Sequence, residues 1–414
     1  MTASTGAESS RIEAAVAALG NAPLTEAGVA AHVAPLFSRV LARRATAIDL
    51  ANHSLGRPLD ETAGDVARAI ELWQVRLGDA WDEWLPEMDA YRSRLARLLG
   101  APRADCIVPK TSAGQGLRAI LNSYDTVPRV VATRGEFDSI DLILRHYAQR
   151  GRIALSLVEP RADGLFAADD LRQAVRRGVD LVVVSQVLFN TGQALPDLPA
   201  LVAAAHAAGA RVLLDVYHSL GVFPVDVAAL DVDFAIGGSY KYLRGGPGAC
   251  YLYLHPRHLD GSLSTLDVGW FAKPEPFAYE RPDPPRFASG GDAFFESTPA
   301  ILPLYQARAG QVFTLSIGVD RLRAYSLAQQ RRFIGRLREL GVEAAGGTED
   351  RGAFVVVRID REGDGAAARC AERLAERGVT TDARGPWLRL CPDVLTTTDE
   401  LDRAAAALVA VQRQ

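Results

Sequence analysis

The sequence lacks the features that mark several classes of protein. It contains no apolar run of about 18 residues, so a membrane-spanning helix is not expected. Its four cysteines (Cys106, Cys250, Cys370 and Cys391) are far apart and form no CxxC pair, and its seven histidines are scattered. Neither a disulfide framework nor a zinc site is therefore expected. The formal net charge of -4 argues against a broad nucleic-acid-binding face.

The remaining composition is that of a globular protein. Hydrophobic residues make up 48% and charged residues 23% of the chain, close to the usual averages. A chain of 414 residues is long enough for a large core and for two domains. The first ten residues, MTASTGAESS, have neither the basic segment nor the apolar stretch of a secretory signal. We therefore expect a cytoplasmic protein.

Lysine is nearly absent. The chain has 43 arginines but three lysines, which are Lys110, Lys241 and Lys273. Arginine replaces lysine well on a surface, but it cannot replace lysine in imine chemistry because the guanidinium group stays protonated and is a poor nucleophile. Each lysine in such a sequence is therefore a candidate for a chemical role.

The middle of the chain alternates short apolar runs with amphipathic helical patterns. Strands are predicted at 105–110, 129–133, 153–158, 180–185 and 211–216, and helices at 114–124, 170–178 and 197–209. This alternation predicts an α/β fold with a mostly parallel sheet covered on both faces.

The two ends of the chain differ from the middle in their pattern of predicted helices and strands. Helical patterns at 12–48, 59–78 and 86–100 precede the alternating region, with a short strand entering a loop at 45–56. After it come one long helical stretch from 299 to about 340, strands at 352–360 and 386–391, and helices at 365–377 and beyond a Thr397–Glu400 capping box. We predict three parts: residues 1–60 packing with the small domain, a large domain of residues 61–300, and a small α+β domain of residues 301–414.

The segment DFAIGGSYKYLRGGPGA (233–249) presents one lysine between glycines. A β-prone stretch ends in Gly-Gly-Ser, and Tyr240 and Lys241 follow immediately. Glycines on both sides let the backbone approach a bulky, flat group closely. The alternative is a turn with a solvated lysine, which the scarcity of lysine disfavours.

Asp215 ends the apolar run RVLLDV (211–216), 26 residues before Lys241. Ligands of open α/β sheets bind at the carboxyl ends of the strands. An acid there can pair with a protonated pyridine nitrogen, and His218 is three residues further on. Aspartates at strand ends also cap helices or bind magnesium, so Asp215 indicates a cofactor site only in combination with Lys241.

Two further segments complete the pattern. In KTSAGQGLRAIL (110–121), Ser112 and Ala113 begin a predicted helix whose first amides and dipole suit a phosphate group, although an ordinary helix cap has the same pattern. Phe137 follows a predicted strand, where its ring could either stack on a flat cofactor or belong to the core.

The order of these elements resembles the fold-type I enzymes that use pyridoxal 5'-phosphate (PLP), within the class V aminotransferase superfamily. The segments SYKYLRGGPGACYLYLHPRHL, GWFAKPEPFAYE, STPAILPL and NHSLGRPLDE are similar to the kynureninase family over roughly residues 45–405. The resemblance implies a PLP-dependent hydrolase that cleaves the Cβ–Cγ bond of kynurenine, 3-hydroxykynurenine or a related γ-keto amino acid and releases alanine. It also implies a homodimer with shared active sites and a place in tryptophan catabolism, with NAD synthesis and specialised metabolism as alternative pathways.

The resemblance further implies a role for each matching residue. Lys241 would carry PLP as a Schiff base, Asp215 would pair with the pyridine nitrogen, and Tyr240 would relay a proton. The other expected cofactor contacts are Ser112, Ala113 and Tyr240 at the phosphate, Phe137, Ser185 and His218 at the ring, and Trp270 and Thr298 from the neighbouring subunit. Arg389 would hold the substrate carboxylate through a two-pronged bond.

Three positions near the expected substrate pocket depart from the family pattern. His53 stands where the family usually has asparagine before the serine of NSLG, Asn190 stands where bacterial members have arginine, and Arg244 replaces an asparagine. We list His53 and Asn190 with Arg389 as candidate substrate-binding residues.

Other enzymes of the same superfamily are alternatives. An aminotransferase uses the same groups, and a C–S or C–C lyase shares the fold. A desulfurase needs a cysteine on a mobile loop, and neither Cys250 nor Cys391 suits this role because both lie in apolar strand patterns. A binding protein without catalysis is disfavoured by the presence of Lys241.

Overall fold

The structure is a computed structural model that describes residues 7–43, 46–175, 178–345, 351–359, 363 and 365–413. Part of the predicted polar start of the chain, residues 1–6, lies outside the described residues. None of the helices in the described ranges combines the length and the hydropathy needed to span a bilayer.

Helices and strands alternate through most of the chain. The helices are α1 (Ala7–Ala18), α2 (Glu26–Gly28), α3 (Ser38–Arg43), α4 (Thr62–Arg76), α5 (Trp81–Leu99), α6 (Ala113–Leu121), α7 (Asp138–Gln149), α8 (Ala168–Ala174), α9 (Leu198–Ala207), α10 (Ile301–Ile317), α11 (Val319–Glu339), α12 (Ala366–Glu376) and α13 (Thr398–Gln412). The strands are β1 (Ile48–Asp49), β2 (Ile107–Lys110), β3 (Arg129–Thr133), β4 (Ala154–Val158), β5 (Leu181–Ser185), β6 (Arg211–Asp215), β7 (Phe234–Gly238), β8 (Cys250–Leu254), β9 (Val355–Arg358), β10 (Val379–Thr380), β11 (Asp382–Arg384) and β12 (Trp387–Leu390).

A seven-stranded sheet forms the centre of the molecule, in the order β2-β8-β7-β6-β5-β3-β4. Strands β7, β6, β5, β3 and β4 run parallel, and β8 is antiparallel to both of its neighbours. The predicted α/β fold with a mostly parallel sheet is confirmed. Strands β5 to β8 are continuous apolar runs, with almost every residue buried, because helices cover both faces of such a sheet.

The register of this sheet brings the chemical residues to one edge. Ser185 and Asp215 are the last residues of the neighbouring parallel strands β5 and β6, and they are paired directly across the ladder. Strand β7 continues through Gly238 into the turn that carries Lys241. The carboxyl ends of three adjacent strands therefore meet where ligands of α/β sheets bind.

A second, three-stranded antiparallel sheet has the order β11-β12-β9. With helices α11 to α13 it encloses a separate apolar cluster, which also contains Ile48 and Leu50 from the N-terminal region. Strand β1 pairs in parallel with β10, so the N-terminal region lies against the C-terminal layer. Helix α10 packs on α4 and α5, so contacts are continuous across the predicted boundary at residue 300.

Some predicted elements differ in detail from the structure. The two helices predicted at 12–48 are α1 followed by short turns of helix, with a π-helical turn at Val29–Val33 and a 3-10 turn at Ala34–Phe37. The long helical stretch after residue 299 is divided at Gly318 into α10 and α11. Strands β10 and β11 were not predicted, because each has too few residues to form a periodic pattern.

Candidate active site

Lys241 lies at the centre of a buried group of rings. Its side chain is 4% exposed, and its Nζ lies 2.6 Å from His218 Nε2. The same nitrogen lies 5.3 Å from the ring centre of Phe137, 5.1 Å from that of Tyr217 and 5.5 Å from that of Tyr240. An amine in this position is shielded from water and surrounded by flat groups.

Asp215 supplies the negative charge next to this amine. Burial raises the pKa of Asp215, and burial lowers the pKa of Lys241, while the opposite charge of each partner resists both shifts. Asp215 Oδ1 accepts a hydrogen bond of 2.8 Å from the backbone amide of Tyr217, which fixes the carboxyl group at the sheet edge. Burial and the charge of Lys241 hold the pKa of His218 well below its usual value, so this imidazole is neutral.

Glu136 is a second buried acid at this edge, and sequence reasoning missed it. Ser185 Oγ donates to Glu136 Oε2 over 2.6 Å, and Thr133 Oγ1 donates to Glu136 Oε1 over 2.6 Å. Burial is the main cause that raises the pKa of Glu136 to about 7, and the charge of Asp215 adds to it. The hydroxyl of Ser185, predicted to lie by the cofactor ring, is thus already bonded to a protein side chain.

Ser112 is the N-cap of helix α6. Its Oγ accepts a hydrogen bond of 3.2 Å from the amide of Gln115, and Ala113 is the first residue of the helix. The first amides of a helix have no intrahelical acceptor, so they are available to an anion. The predicted helix start is confirmed, and its use by a phosphate remains a prediction.

The predicted substrate residues Arg389 and His53 meet at Asp382. Asp382 is directly opposite Arg389 in the β11–β12 ladder, and its Oδ2 accepts a very short bond from Arg389 NH2. The same oxygen lies 3.5 Å from His53 Nε2. Sequence reasoning missed Asp382, because the short strand β11 that carries it was not predicted.

The other predicted substrate residue, Asn190, is half-buried, and its Oδ1 accepts a hydrogen bond from the amide of Thr191. Its neighbour Phe189 is more central: the backbone oxygen of Phe189 accepts from Arg389 NH1 over 2.5 Å, and its ring contacts Phe137 edge-on at 5.4 Å. Phe354 is a further missed residue, with its ring centre 5.0 Å from that of His53 and 5.9 Å from that of His218.

Trp270 and Thr298 lie together, away from the Lys241 group. Trp270 Nε1 donates to Thr298 Oγ1 over 3.1 Å, and both side chains are at least partly exposed. Thr298 also lines a cleft of about 100 Å³ with Thr111 and Gln115, at the start of helix α6. Within the described ranges, hydrogen bonds and ring contacts do not join either residue to Lys241 of the same chain.

Arg244, the third departure from the family pattern, points away from Lys241. Its guanidinium lies 2.7 Å from Asp393 Oδ2 and over the rings of Phe37 and Phe313, at 5.3 and 5.5 Å from their centres. Arg244 therefore belongs to a buried contact between parts of the chain and does not line the Lys241 group.

These residues fit PLP. A buried lysine whose pKa is lowered by burial can condense with an aldehyde, and the rings of Phe137, Tyr217 and Tyr240 surround its nitrogen. Asp215 at the adjoining strand end can pair with a pyridine nitrogen. His218 Nδ1 is buried and has no hydrogen-bond partner among the described residues, as expected for a side chain that faces a ligand.

The fold and this site define a fold-type I, PLP-dependent enzyme. The family described as aminotransferase class-V matches residues 77–386. A cysteine desulfurase from Thermococcus onnurineus NA1 has a TM-score of 0.75 at 18% identity, over 89% of this chain and 95% of that one. A C-DES mutant with glycine linked to its PLP cofactor has a TM-score of 0.79 at 20% identity, over 91% and 98%. At these identities the solved structures support the fold alone.

The sequence relatives are more specific. The kynureninase of Salinispora tropica is 32% identical over 392 residues, which cover 87% of this chain and 89% of that protein. The kynureninase of Deinococcus radiodurans is 33% identical over 267 residues, which cover 64% of this chain and 62% of that protein. The chain belongs to the kynureninase family, as its sequence predicted, and it is an enzyme of the kynureninase type that uses PLP.

Proposed function

We propose that this enzyme hydrolyses the Cβ–Cγ bond of kynurenine, 3-hydroxykynurenine or a related γ-keto amino acid and releases alanine. The observation that carries the proposal is the position of Lys241, buried between three aromatic rings beside His218 and Asp215. The kynureninases that cover most of the chain support this substrate class.

In this proposal Lys241 holds PLP, and Asp215 pairs with its ring nitrogen. Phe137 stacks on the ring, and His218 and Ser185 lie beside it. The phosphate is bound by Ser112, Ala113 and Tyr240, at the start of α6 and in the turn after β7. Lys241 is favoured over the other lysines because Lys110 is paired with Glu296 and Lys273 donates to the backbone oxygen of Glu280.

When bound, PLP supplies an aldehyde that condenses with amines and a ring that withdraws electrons from bonds next to the amine. Burial lowers the pKa of Lys241, so a neutral amine is available at Nζ to remove the α-proton of the substrate near neutral pH. Burial raises the pKa of Tyr240 to about 12, so its hydroxyl keeps its proton and can donate it. The neutral His218, 2.6 Å from Lys241 Nζ, orients that amine.

The substrate residues are also part of the proposal. Arg389 binds the carboxylate of the amino acid, and His53 and Asn190 are further substrate-binding residues. The buried position of Arg389, in contact with the rings of Phe189 and Phe354, supports a role inside the site. Arg244 pairs with Asp393 and has no role in substrate binding in this proposal.

We further propose a homodimer in which Trp270 and Thr298 reach the cofactor phosphate of the neighbouring subunit. The exposed ring of Tyr279 stacks on Trp270, and the exposed Phe287 lines a cleft of about 630 Å³ together with Trp270. Exposed apolar patches of this kind are typical of protein–protein contacts. A cytoplasmic location and a role in tryptophan catabolism complete the proposal; the cysteines, all buried thiols, suit a reducing compartment.

Two measurements test the proposal. Kynurenine, 3-hydroxykynurenine and simple amino acids are offered to the holoenzyme, and alanine release is followed with the absorption of the cofactor. Alanine release from a kynurenine is expected. Turnover of another amino acid, with no kynurenine analogue accepted, would overturn the assignment as a hydrolase.

Borohydride reduction followed by peptide mass spectrometry then locates the cofactor. With three lysines in the chain, the label is expected on Lys241, and a label on Lys110 or Lys273 would overturn the site.

A further inference from the structure

His53 is a buried histidine that its protein surroundings leave unsatisfied. Its side chain is 0% exposed, and neither ring nitrogen has a hydrogen-bond partner among the described residues. The separation of 3.5 Å from Asp382 Oδ2 is longer than a normal hydrogen bond. Burial lowers the pKa of His53 to about 3, so the ring is neutral and one nitrogen carries a proton. An unpaired N–H in such a place costs free energy unless a ligand accepts it.

The loop around His53 is fixed at both ends. The amide of Cys391 donates to Leu50 O over 2.7 Å, and the amide of Gly56 donates to Tyr240 O over 2.9 Å. A Cβ at Gly56 would lie 1.9 Å from Lys241 O, so the loop contacts the lysine backbone more closely than any other residue would allow. One anchor is two residues from Arg389 and the other is next to Lys241. His53 is thus held between the two groups that contact an amino acid.

Arg389 is also only partly satisfied. Its NH2 is bonded to Asp382 and its NH1 to Phe189 O, whereas its Nε is buried without a partner in the described residues. These bonds fix the guanidinium plane, use one hydrogen on each terminal nitrogen and leave the buried Nε–H without a partner. The two-pronged bond that the family resemblance implies would combine the Nε–H with the second hydrogen of a nitrogen that Asp382 or Phe189 already engages.

The charges around these donors favour an anion. Arg384 and Arg389 both bond Asp382, and His53 is neutral, so the group has one net positive charge. Phe354 packs against His53 and against the Arg389 guanidinium at 5.0 and 5.9 Å and keeps both side chains in place. A single carboxylate between Arg389 Nε and the His53 ring would neutralise the charge and satisfy both donors.

We propose that His53 and Arg389 together bind the α-carboxylate of the substrate, each through one hydrogen bond. This inference rests on the proposed function in so far as the substrate is an amino acid. It assigns His53 to the carboxylate end of the substrate and not to the aryl ketone. In this arrangement His53 supplies one of the two hydrogen bonds to the carboxylate that were expected from Arg389 alone.

The test compares two ligands that differ at the carboxylate. L-alanine and L-alaninamide are titrated into the holoenzyme, and binding is followed through the absorption of the cofactor, so no turnover is needed. A hydrogen bond to a charged group is worth roughly 1.5–3 kcal/mol, so His53→Ala is expected to weaken alanine binding by about ten- to hundredfold and to leave alaninamide binding unchanged. His53→Gln, which keeps a neutral donor, is expected to recover most of the loss.

The control variant is His146→Ala, which removes an exposed histidine on α7 and should change neither affinity. Equal weakening of both ligands by His53→Ala would mean that His53 only shapes the pocket, and it would overturn the inference. Unchanged alanine binding together with a higher KM for kynurenine would also overturn the inference, since His53 would then contact the aryl ketone.

If His53→Ala does not fold, His53→Gln and His53→Phe give the same comparison with and without a donor. The alanine titration stands even if no kynurenine is hydrolysed, so failure of the proposed function is recognised separately.

Discussion

Among single residues, Glu136 and Asp215 are two buried acids at the site, and burial together with the negative charge of Asp215 raises the pKa of Glu136. Both carboxyl groups are buried, and each would be negative at neutral pH if it kept its usual pKa. Asp215 faces the positive charge of Lys241, whereas Glu136 receives bonds from neutral hydroxyls of Thr133 and Ser185. Glu136 is therefore the acid that holds its proton more readily, and this proton lets a single negative charge persist at the sheet edge.

The protonation of Glu136 predicts a pH-dependent stability. The pKa of Glu136 rises from 4.5 to about 7 on folding, so its stabilising contribution is complete below about pH 4.5 and is lost as the pH rises to about 7. In Glu136→Gln the contribution no longer depends on pH, and the amide still suits the two hydroxyls because a hydroxyl donates or accepts. The free energy of unfolding of the wild type, relative to the variant, is expected to fall by about 3 kcal/mol across this range. Urea unfolding at several pH values checks it, and parallel profiles would contradict it.

Sequence reasoning located Lys241 and Asp215 because each has a local signal. Lysine is scarce, and Asp215 ends an apolar run. Glu136 has no such signal, since Arg134-Gly135-Glu136 has the composition of a solvated turn. It is buried in the fold, where Ser185 at the end of strand β5 donates a hydrogen bond to it. The same holds for Asp382 and Phe354, whose contacts with Arg389 and His53 depend on cross-strand pairing and domain packing.

At the scale of elements, the break between α10 and α11 depends on one glycine. Gly318 has φ +89° and ψ 134°, a conformation that other residues rarely adopt, and its amide donates to Thr314 O at the end of α10. The periodic pattern continues on both sides of Gly318, which is why the sequence predicted a single helix. Five of the seven strands of the central sheet, β2 to β6, were predicted within one or two residues because a strand buried in such a sheet is a short, continuous apolar run. The capping box of α13 was also predicted and is present.

Two glycine substitutions in this helical pair are expected to have opposite effects. Gly318→Ala forces a side chain into the positive-φ conformation and should destabilise the protein by about 1–3 kcal/mol, although a Cβ there meets no atom within 4 Å. Gly335→Ala lies inside α11 with equally open space, and it should stabilise by about 0.5–1 kcal/mol because alanine is the better helix former. Urea unfolding of both variants checks this, and the same sign for both would refute the conformational explanation.

At the scale of the whole molecule, the Arg244–Asp393 pair joins distant parts of the chain. Arg244 follows Lys241 by three residues, and its amide donates to Lys241 O over 3.0 Å. Its guanidinium contacts Phe37 from the N-terminal region and Phe313 from α10, and it pairs with Asp393, which follows β12. Arg57 lies 3.9 Å from Asp393 as a weaker second partner. Removal of one partner from a buried pair leaves an uncompensated charge, which is the costly case.

A double-mutant cycle measures this connection. Arg244→Asn suits the positive φ of +59° at this position but removes the charge, and it is expected to cost about 3 kcal/mol, since Arg57 compensates only in part. Asp393→Asn keeps an acceptor for the amide of Leu395. The loss in free energy of unfolding should therefore be about 1–3 kcal/mol smaller in the double variant than the two single losses added together. The exposed Arg403–Asp399 pair on α13, treated in the same way, should give a coupling close to zero.

The same cycle has a consequence for the active site. Because Arg244 is bonded to the backbone of Lys241, loss of its pair with Asp393 is expected to loosen the turn that carries Lys241, the lysine proposed to hold PLP. Arg244→Asn is therefore expected to release PLP faster on dialysis than the wild type, whereas the Arg403→Asn control retains it. Equal retention by both variants would mean that the buried pair stabilises the packing of the chain termini without holding the turn at Lys241.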